Sequence, residues 1–333
     1  MSPTFLLPLT RRSLPFTSSL LHFVSSSCAS PISNRIQFLI SSKSRDLERS
    51  LRLHYPDLLI SHEHESVPNW GEPKDLQEAL NVCDGVILAA SGSGDDCFNV
   101  PSDLTEEWLQ CEQNVTSLVS EAHRVVKLSW MEGFVSAQSP LAVGRATWEI
   151  EQELKSRLGG GDASAHNLTI VRAPTGMDAF LRGRLFDLVC GRTLSISIKH
   201  GRVAFVHPSD VAETLSALVV KEDTGVADAG RLFKLTGPES LTFPDVAELL
   251  SEGIGEKVNY SYFPLWAVQP ARWVHGVPGD AIEEELAVIR ALEAGTQQAV
   301  DTTLMETLLG RKPRSFCAFI AENAAAWPRT DPK

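Results

Sequence analysis

Two polar side chains, Ser129 and Glu132, closely follow a predicted inner strand at residues 125–128. In an open α/β sheet, the residues that contact ligands lie beyond the carboxyl ends of the strands. Glu132 has Phe134 two positions later, and apolar surroundings favour the neutral form of a carboxyl group. The segment therefore predicts a Brønsted acid or base at Glu132 with a hydroxyl group nearby; a helix-capping or surface carboxylate is the alternative.

Asp178 and His207 are two further acid–base candidates, because each follows a later predicted strand. Asp178 lies between the apolar side chains of Met177 and Phe180, and a capping role is again the alternative. His207 comes directly after the predicted strand at residues 203–206 and before a proline, so a turn histidine is the competing interpretation. These two residues join the first pair in the predicted catalytic set.

Large apolar side chains accompany these candidates along the chain. An aromatic wall suits an apolar, polycyclic substrate, and its π faces stabilise a cation. At helical or strand spacings the same side chains also suit the hydrophobic core. The predicted substrate-binding residues are Trp130, Phe134, Met177, Phe180, Trp148, Trp266 and Trp273.

The overall charge disfavours nucleic acid as a partner. Thirty basic and 42 acidic residues give a net charge of −12, which repels a phosphate backbone. No apolar run approaches the ~20 residues of a membrane-spanning helix, and the six cysteines include no C-x-x-C pair. The run His62-Glu63-His64-Glu65 lacks an assured further ligand, so no metal is predicted. We expect a small, apolar organic molecule as the partner.

The first 45 residues are basic and contain no Asp or Glu. This composition is typical of an organelle transit peptide. The same residues also fit a folded β-α-β unit, with apolar runs at 5–7, 20–24 and 36–40. The folded interpretation is favoured, because the apolar strand at residues 84–90 needs parallel neighbours. It predicts a cytoplasmic protein.

Apolar strands alternate with helical segments through the first half of the chain. This alternation is typical of a doubly wound parallel sheet, and beyond Thr175 the elements become those of a smaller α/β lobe. We predict a Rossmann-like region at residues 1–175 and a substrate-binding lobe at 176–333, interleaved as one α/β unit. The predicted strands of the first region are 5–7, 36–40, 85–90, 125–128 and 168–172, and its helices are 47–53, 74–80, 106–122 and 147–158.

Three segments resemble the NmrA-like branch of atypical short-chain dehydrogenases, in the style of fungal alkaloid-pathway reductases. They are G-R-V-A-F-V-H-P-S-D-V-A-E at 201–213, L-T-G-P-E-S-L-T-F at 235–243, and L-G-R-K-P-R-S-F at 309–316, continued by E-N-A-A-A-W at 322–327. The resemblance implies a nucleotide-binding sheet, NADP(H), and a substrate pocket between the sheet and the small lobe. It also implies that the segment holding Arg145, Glu149 and Glu151 borders cofactor and substrate.

The chain departs from the resemblance where the cofactor would bind. The family has a T-G-A-T-G-x-x-G-like turn after the first strand, whereas residues 8–15 here are P-L-T-R-R-S-L-P. Glycines in this turn let a pyrophosphate approach the backbone, and Pro15 removes an N–H group from the start of the helix. We therefore expect no cofactor; if NADP(H) does bind, Arg11, Arg12 and Lys43 are its predicted contacts.

A pocket with acids, bases and aromatic walls needs no redox partner to catalyse a rearrangement, because proximity and charge stabilisation supply large accelerations. The sequence thus predicts a cofactor-independent isomerase or cyclase acting on an apolar secondary-metabolite intermediate. An NAD(P)H-dependent reductase of a natural-product pathway is the first alternative, and a non-catalytic redox sensor is the second. The Tyr-x-x-x-Lys dyad of ordinary short-chain dehydrogenases is absent.

Overall fold

A computed structural model describes residues 3–10, 13–26, 37–43, 45–59, 68–89, 102–129, 132–158, 167–220 and 232–328. Within these ranges the strands are β1 (Thr4–Leu9), β2 (Gln37–Ser42), β3 (Gly85–Leu88), β4 (Arg124–Leu128), β5 (Leu168–Arg172), β6 (Thr193–Ile196), β7 (Arg202–Val203), β8 (Leu232–Lys234), β9 (Leu241–Thr242) and β10 (Asn259–Tyr262). Six of them form a parallel sheet of order β2-β1-β3-β4-β5-β8. The predicted doubly wound α/β fold is confirmed.

Helices cover both faces of this sheet. The helices of the described residues, including those that pack on the smaller elements after β5, are α1 (Leu14–Ser26), α2 (Arg45–His54), α3 (Pro73–Asn81), α4 (Ser102–Leu118), α5 (Ala142–Arg157), α6 (Gly183–Cys190), α7 (Pro208–Val220), α8 (Phe243–Ile254), α9 (Leu265–Val274), α10 (Gly279–Glu293), α11 (Thr303–Leu309) and α12 (Phe316–Asn323). The inner strands are apolar on both faces: Val125 packs in the core with α3, α4 and α5, and Val126 in the core with α1, α2, α7 and α11. This two-sided burial explains their continuous apolar sequence.

The segment at the start of the chain is part of the sheet. β1 lies between β2 and β3 and pairs with β2 in parallel from Thr4↔Gln37 to Leu9↔Ser42. Because β1 connects to β2 on one side and the chain then returns to β3 on the other, the direction of winding reverses between β1 and β3. Ligands of open α/β sheets bind in the crevice at such a switch point, beyond the carboxyl ends of the strands.

Smaller elements follow β5. β6 and β10 form a parallel pair, and β7 and β9 form a short antiparallel pair. A capping box starts α8: Asp245 N donates to Thr242 Oγ1 at 3.2 Å, and Thr242 N donates to Asp245 Oδ2 at 2.9 Å. The strand predicted at residues 203–206 is shorter than expected, because Ala204 N bonds to Gln297 O rather than to a strand.

No helix within the described ranges is both long and apolar enough to cross a membrane. The four described cysteines, Cys83, Cys111, Cys190 and Cys317, are free thiols.

Candidate functional site

The turn after β1 reaches the switch point and is closed by two hydroxyl side chains. Thr10 N donates to Ser13 Oγ at 3.0 Å, and Ser13 N donates to Thr10 Oγ1 at 3.1 Å. Both residues are fully buried, and α1 begins at the next position. Side-chain hydroxyls therefore close the turn in which the resemblance implies glycine. Arg11 and Arg12 lie outside the described residues, so their predicted role stays a prediction.

Lys43 follows β2 at the neighbouring strand end and is held in place by two contacts. Its Nζ donates to Gln110 Oε1 at 3.0 Å and lies 4.2 Å from the centre of the Trp70 ring. Trp70 is itself fixed, because it is fully buried and its Nε1 donates to Leu9 O at 3.0 Å, at the end of β1. The Lys43 ammonium group is thus an oriented, exposed cation beside the switch point.

Ser129, Glu151 and Arg172 meet where β4 and β5 end. Ser129 Oγ donates to Glu151 Oε1 at 2.6 Å. Arg172 binds the same carboxylate with two nitrogens, Nη2 to Oε2 at 2.6 Å and Nε to Oε1 at 3.2 Å. Glu151 is only 1% exposed, so the paired guanidinium group compensates a buried charge.

A second buried ion pair lies on the same face of β4. Lys127 and Glu112, from β4 and α4, form a salt bridge in which both side chains are fully buried. Burial raises the pKa of Glu112, while the Lys127 ammonium group opposes that shift. This pair was not predicted from the sequence; the available signal was a lysine within the inner strand R-V-V-K-L, between the apolar residues Val126 and Leu128.

Glu132 lies between the ends of several strands. Its Oε1 accepts from Lys234 Nζ at 2.6 Å, and its Oε2 is buried with no hydrogen-bond partner among the described residues. Gln297 fixes the backbone beneath it: Gln297 Nε2 donates to Glu132 O at 3.1 Å, while Gln297 Oε1 accepts from both N and Oγ1 of Thr175 at 2.9 Å.

The structure places Asp178 and His207 in other contacts. Asp178 lies in the first turn of the short 3-10 helix Met177–Leu181 and pairs with Arg182 at 2.7 Å. His207 is buried; its Nδ1 accepts from Ser209 N at 3.2 Å, so its Nε2 carries the hydrogen that faces Glu322 Oε2 at 3.1 Å. Burial lowers the pKa of His207. The predicted acid–base residues therefore do not form one hydrogen-bonded cluster, and their catalytic role stays a prediction.

The predicted aromatic wall is divided in the same way. Phe134, Met177 and Phe180 are buried in the core, and Trp148 is half-buried against it. On α9, by contrast, Trp266 and Trp273 are 81% and 77% exposed. Trp130 and the segment at residues 62–65 lie outside the described residues.

Curated relatives match only part of this chain. Agroclavine dehydrogenase of Claviceps fusiformis is 26% identical over 139 residues, which is 42% of this chain and 46% of the relative. An uncharacterized oxidoreductase of Bacillus subtilis is 26% identical over 127 residues, and a (4-alkanoyl-5-oxo-2,5-dihydrofuran-3-yl)methyl phosphate reductase of Streptomyces griseus is 30% identical over 125 residues. The matches thus span less than half the length of these relatives. No family model matches the chain.

Solved structures share the fold over nearly the whole chain. Triphenylmethane reductase of Citrobacter sp. in complex with NADP(H) has a TM-score of 0.67 at 14% identity and covers 96% of this chain and 99% of its own. The quinone oxidoreductase QOR2 of Escherichia coli in complex with NADPH has a TM-score of 0.67 at 15% identity, with 95% and 99% coverage. At these identities the likeness shows the common fold.

The comparisons correct one expectation from the sequence. The prediction that the chain uses no cofactor is wrong, because structures of the same fold carry NADP(H) or NADPH, which points to a nicotinamide cofactor. The curated relatives bear the names of a dehydrogenase, an oxidoreductase and a reductase, which favours the oxidoreductase alternative over an isomerase or cyclase. Together, the sequence matches and the shared fold agree with the resemblance of this chain to the NmrA-like branch of the atypical short-chain dehydrogenases.

Proposed function

We propose that the chain is an NAD(P)H-dependent oxidoreductase that acts on a small, apolar organic substrate and prefers NADP(H). The observation that carries this proposal is the oriented Lys43 ammonium group beside the switch point. A fixed cation at this place suits the 2′-phosphate that distinguishes NADP(H) from NAD(H).

The residues around the switch point suit the rest of a dinucleotide. Four residues separate the end of β1 from the start of α1 at this edge of the sheet, and the dipole of a helix N-terminus attracts phosphate, even though Pro15 lacks one of the N–H groups there. Thr10 and Ser13 bring hydroxyl groups to the turn where relatives have glycine. When bound, the nicotinamide would supply or accept a hydride ion. The protein's own contribution would be to bind and orient the two reactants.

The names of the relatives support the same reaction class. Agroclavine dehydrogenase and the Streptomyces reductase are redox enzymes by name, and the solved structures with NADP(H) or NADPH share the whole fold. The apolar character of the substrate stays a prediction from the sequence, since Phe134 and Met177, which follow β4 and β5, are buried in the core.

Titration of the protein with NADPH and NADH tests this proposal. We expect saturable binding, with NADPH favoured, and we expect Lys43→Ala to weaken NADPH binding by about tenfold or more, equal to ~1.4 kcal/mol. NADH, which lacks the 2′-phosphate, should bind the variant as it binds the wild type. Lys74→Ala removes a lysine that is 88% exposed and is the matched control for net charge.

Two outcomes would contradict the proposal. If neither nucleotide binds saturably, the proposed nicotinamide cofactor is wrong. If Lys43→Ala weakens the binding of NADPH and NADH equally, Lys43 does not bind the 2′-phosphate. Binding of NADPH without turnover of any hydride acceptor would favour the non-catalytic redox sensor.

A further inference from the structure

One side of helix α9 presents large apolar side chains to solvent. Trp266, Trp273 and Val274 are 81%, 77% and 84% exposed. The two tryptophans are close to two helical turns apart and therefore project from the same side of the helix, with the exposed Pro270 between them. A contiguous apolar patch on the surface of a soluble protein marks an interaction site.

The opposite side of α9 is fixed to the rest of the protein, so the exposure does not come from a loosely held helix. Val268 is 2% exposed and lies in the hydrophobic core. Arg272 binds both carboxylate oxygens of Glu285 on α10, at 2.8 and 3.0 Å. These contacts fix the rotation of α9 about its own axis and keep both tryptophans on the solvent side.

The exposed face of α9 carries no charge. Between Asn259 and Pro278 the only Asp, Glu, Lys or Arg is Arg272, and its charge is paired with Glu285. Helices that lie on membranes combine an apolar face with many Lys and Arg residues, and the net charge of −12 opposes an anionic lipid surface. Enrichment in Trp without charged residues is instead typical of the centre of a protein–protein interface.

We propose that the exposed face of α9 is the interface of a homodimer, in which α9 of a second copy packs across it in the antiparallel direction. In a two-fold interface, a residue i that contacts residue j of the partner is matched by a residue j that contacts i. With the axis between Gln269 and Pro270, Trp266 of each copy faces Trp273 of the other, because the two positions are equally far from the axis. The face is therefore complementary to itself.

The patch has the area that a weak dimer needs. A tryptophan side chain buries about 150–250 Å², so the two tryptophans with Pro270 and Val274 leave on the order of 500 Å² uncovered on each chain. Two copies would bury about 1,000 Å² in total, which is near the lower limit for a specific interface. This area predicts a reversible dimer with a Kd in the micromolar range.

Sedimentation velocity of the full chain over a dilution series tests the proposal. We expect the wild type to change from the chain mass of 36.4 kDa to twice that mass as its concentration rises. Trp266→Lys and Trp273→Lys should each raise the Kd by at least about 10²-fold, because a central tryptophan is a typical hot spot and each change occurs twice in the dimer. Leu53→Lys, which replaces an apolar side chain that is 80% exposed on α2, is the matched control and should leave the Kd unchanged.

Two double variants test the antiparallel arrangement. In Trp266→Glu/Trp273→Lys, the new carboxylate of each copy faces the new ammonium group of the other, whereas Trp266→Lys/Trp273→Lys brings like charges together. The first should associate at least about tenfold more tightly than the second, because like charges across an interface repel. If both double variants associate equally weakly, the antiparallel arrangement is wrong.

A wild-type protein that stays monomeric at every concentration would overturn the dimer. Binding of that monomer to phosphatidylcholine vesicles would then assign the face to a membrane surface. A raised KM of Trp266→Lys for an apolar hydride acceptor would instead assign it to the substrate pocket, as predicted from the sequence. Far-UV circular dichroism and thermal unfolding should be the same for every variant, since each replaced side chain is exposed.

Discussion

Lys127→Met should destabilise the protein strongly, because it leaves the Glu112 carboxylate fully buried without its cation. Burial already raises the pKa of Glu112 above its ordinary value of 4.5. In the variant we expect this carboxyl group to be protonated when folded and ionised when unfolded. Protonating such a group at pH 7 costs about 3.4 kcal/mol, at ~1.36 kcal/mol per pH unit, and removal of one partner of a buried pair typically costs ~3–5 kcal/mol.

The sign of the pH dependence identifies the mechanism. A group whose pKa is raised on folding stabilises the folded state least at high pH, so the penalty of Lys127→Met should shrink by about 1.4 kcal/mol for each pH unit between about pH 7 and 5. Urea denaturation followed by tryptophan fluorescence, performed on wild type and variant at several pH values, measures this difference. The double variant Lys127→Met/Glu112→Met removes both charges. Its free energy of unfolding should stay within about 1 kcal/mol of the wild-type value at every pH.

Lys74→Met is the control, since Lys74 is 88% exposed and its Nζ lies 3.9 Å from Glu78; it should change the unfolding free energy by less than about 0.5 kcal/mol. The reasoning is refuted if Lys127→Met costs less than about 1 kcal/mol at pH 7, or if its cost does not vary with pH. Either result would mean that water reaches Glu112.

Burial lowers the pKa of His207, so the unfolded chain binds more protons below about pH 6.5 and the folded state loses stability as the pH falls through that value. His207→Asn should flatten this part of the curve of unfolding free energy against pH; an unchanged slope would contradict the assignment. Gly237→Ala would place its Cβ 1.8 Å from the carbonyl oxygen of Phe205, whereas Gly279→Ala meets nothing within 4 Å. In urea denaturation the first should cost about 1–3 kcal/mol and the second close to nothing, and equal effects would show that the backbone near residue 237 moves aside.

The sequence was sufficient for strands β1 to β5 of the central sheet, because these strands are largely buried on both faces and therefore carry apolar runs. β5 was predicted with the bounds that it has, and β1, β2 and β4 differ only at their ends. The cap of α8 was also predictable, since Thr242 and Asp245 interact within one helical turn. Elements whose partners are far along the chain were harder. β10 has the polar sequence N-Y-S-Y and forms only by pairing with β6.

The candidate site was predicted only in part, because its contacts join residues from separate elements. Ser129 was selected from its place after a strand, but that Glu151 and Arg172 meet it depends on how α5 packs on β4 and β5. The loss of the glycines after β1 led to the wrong expectation of no cofactor. The reciprocal hydrogen bonds of Thr10 and Ser13 close this turn through side chains, which the glycine pattern of the backbone does not reveal.

The three side-chain hydrogen bonds of Gln297 affect how this protein could be recombined with its relatives. A single amide from the last quarter of the chain binds the backbone that leaves both β4 and β5. A hybrid that took residues 176–333 from a protein of the same fold would have to bring an equivalent amide, or the Thr175 N–H group would lose its acceptor. A chimera with its junction at residue 175 should therefore take the segments around Glu132, Thr175 and Gln297 from the same parent protein.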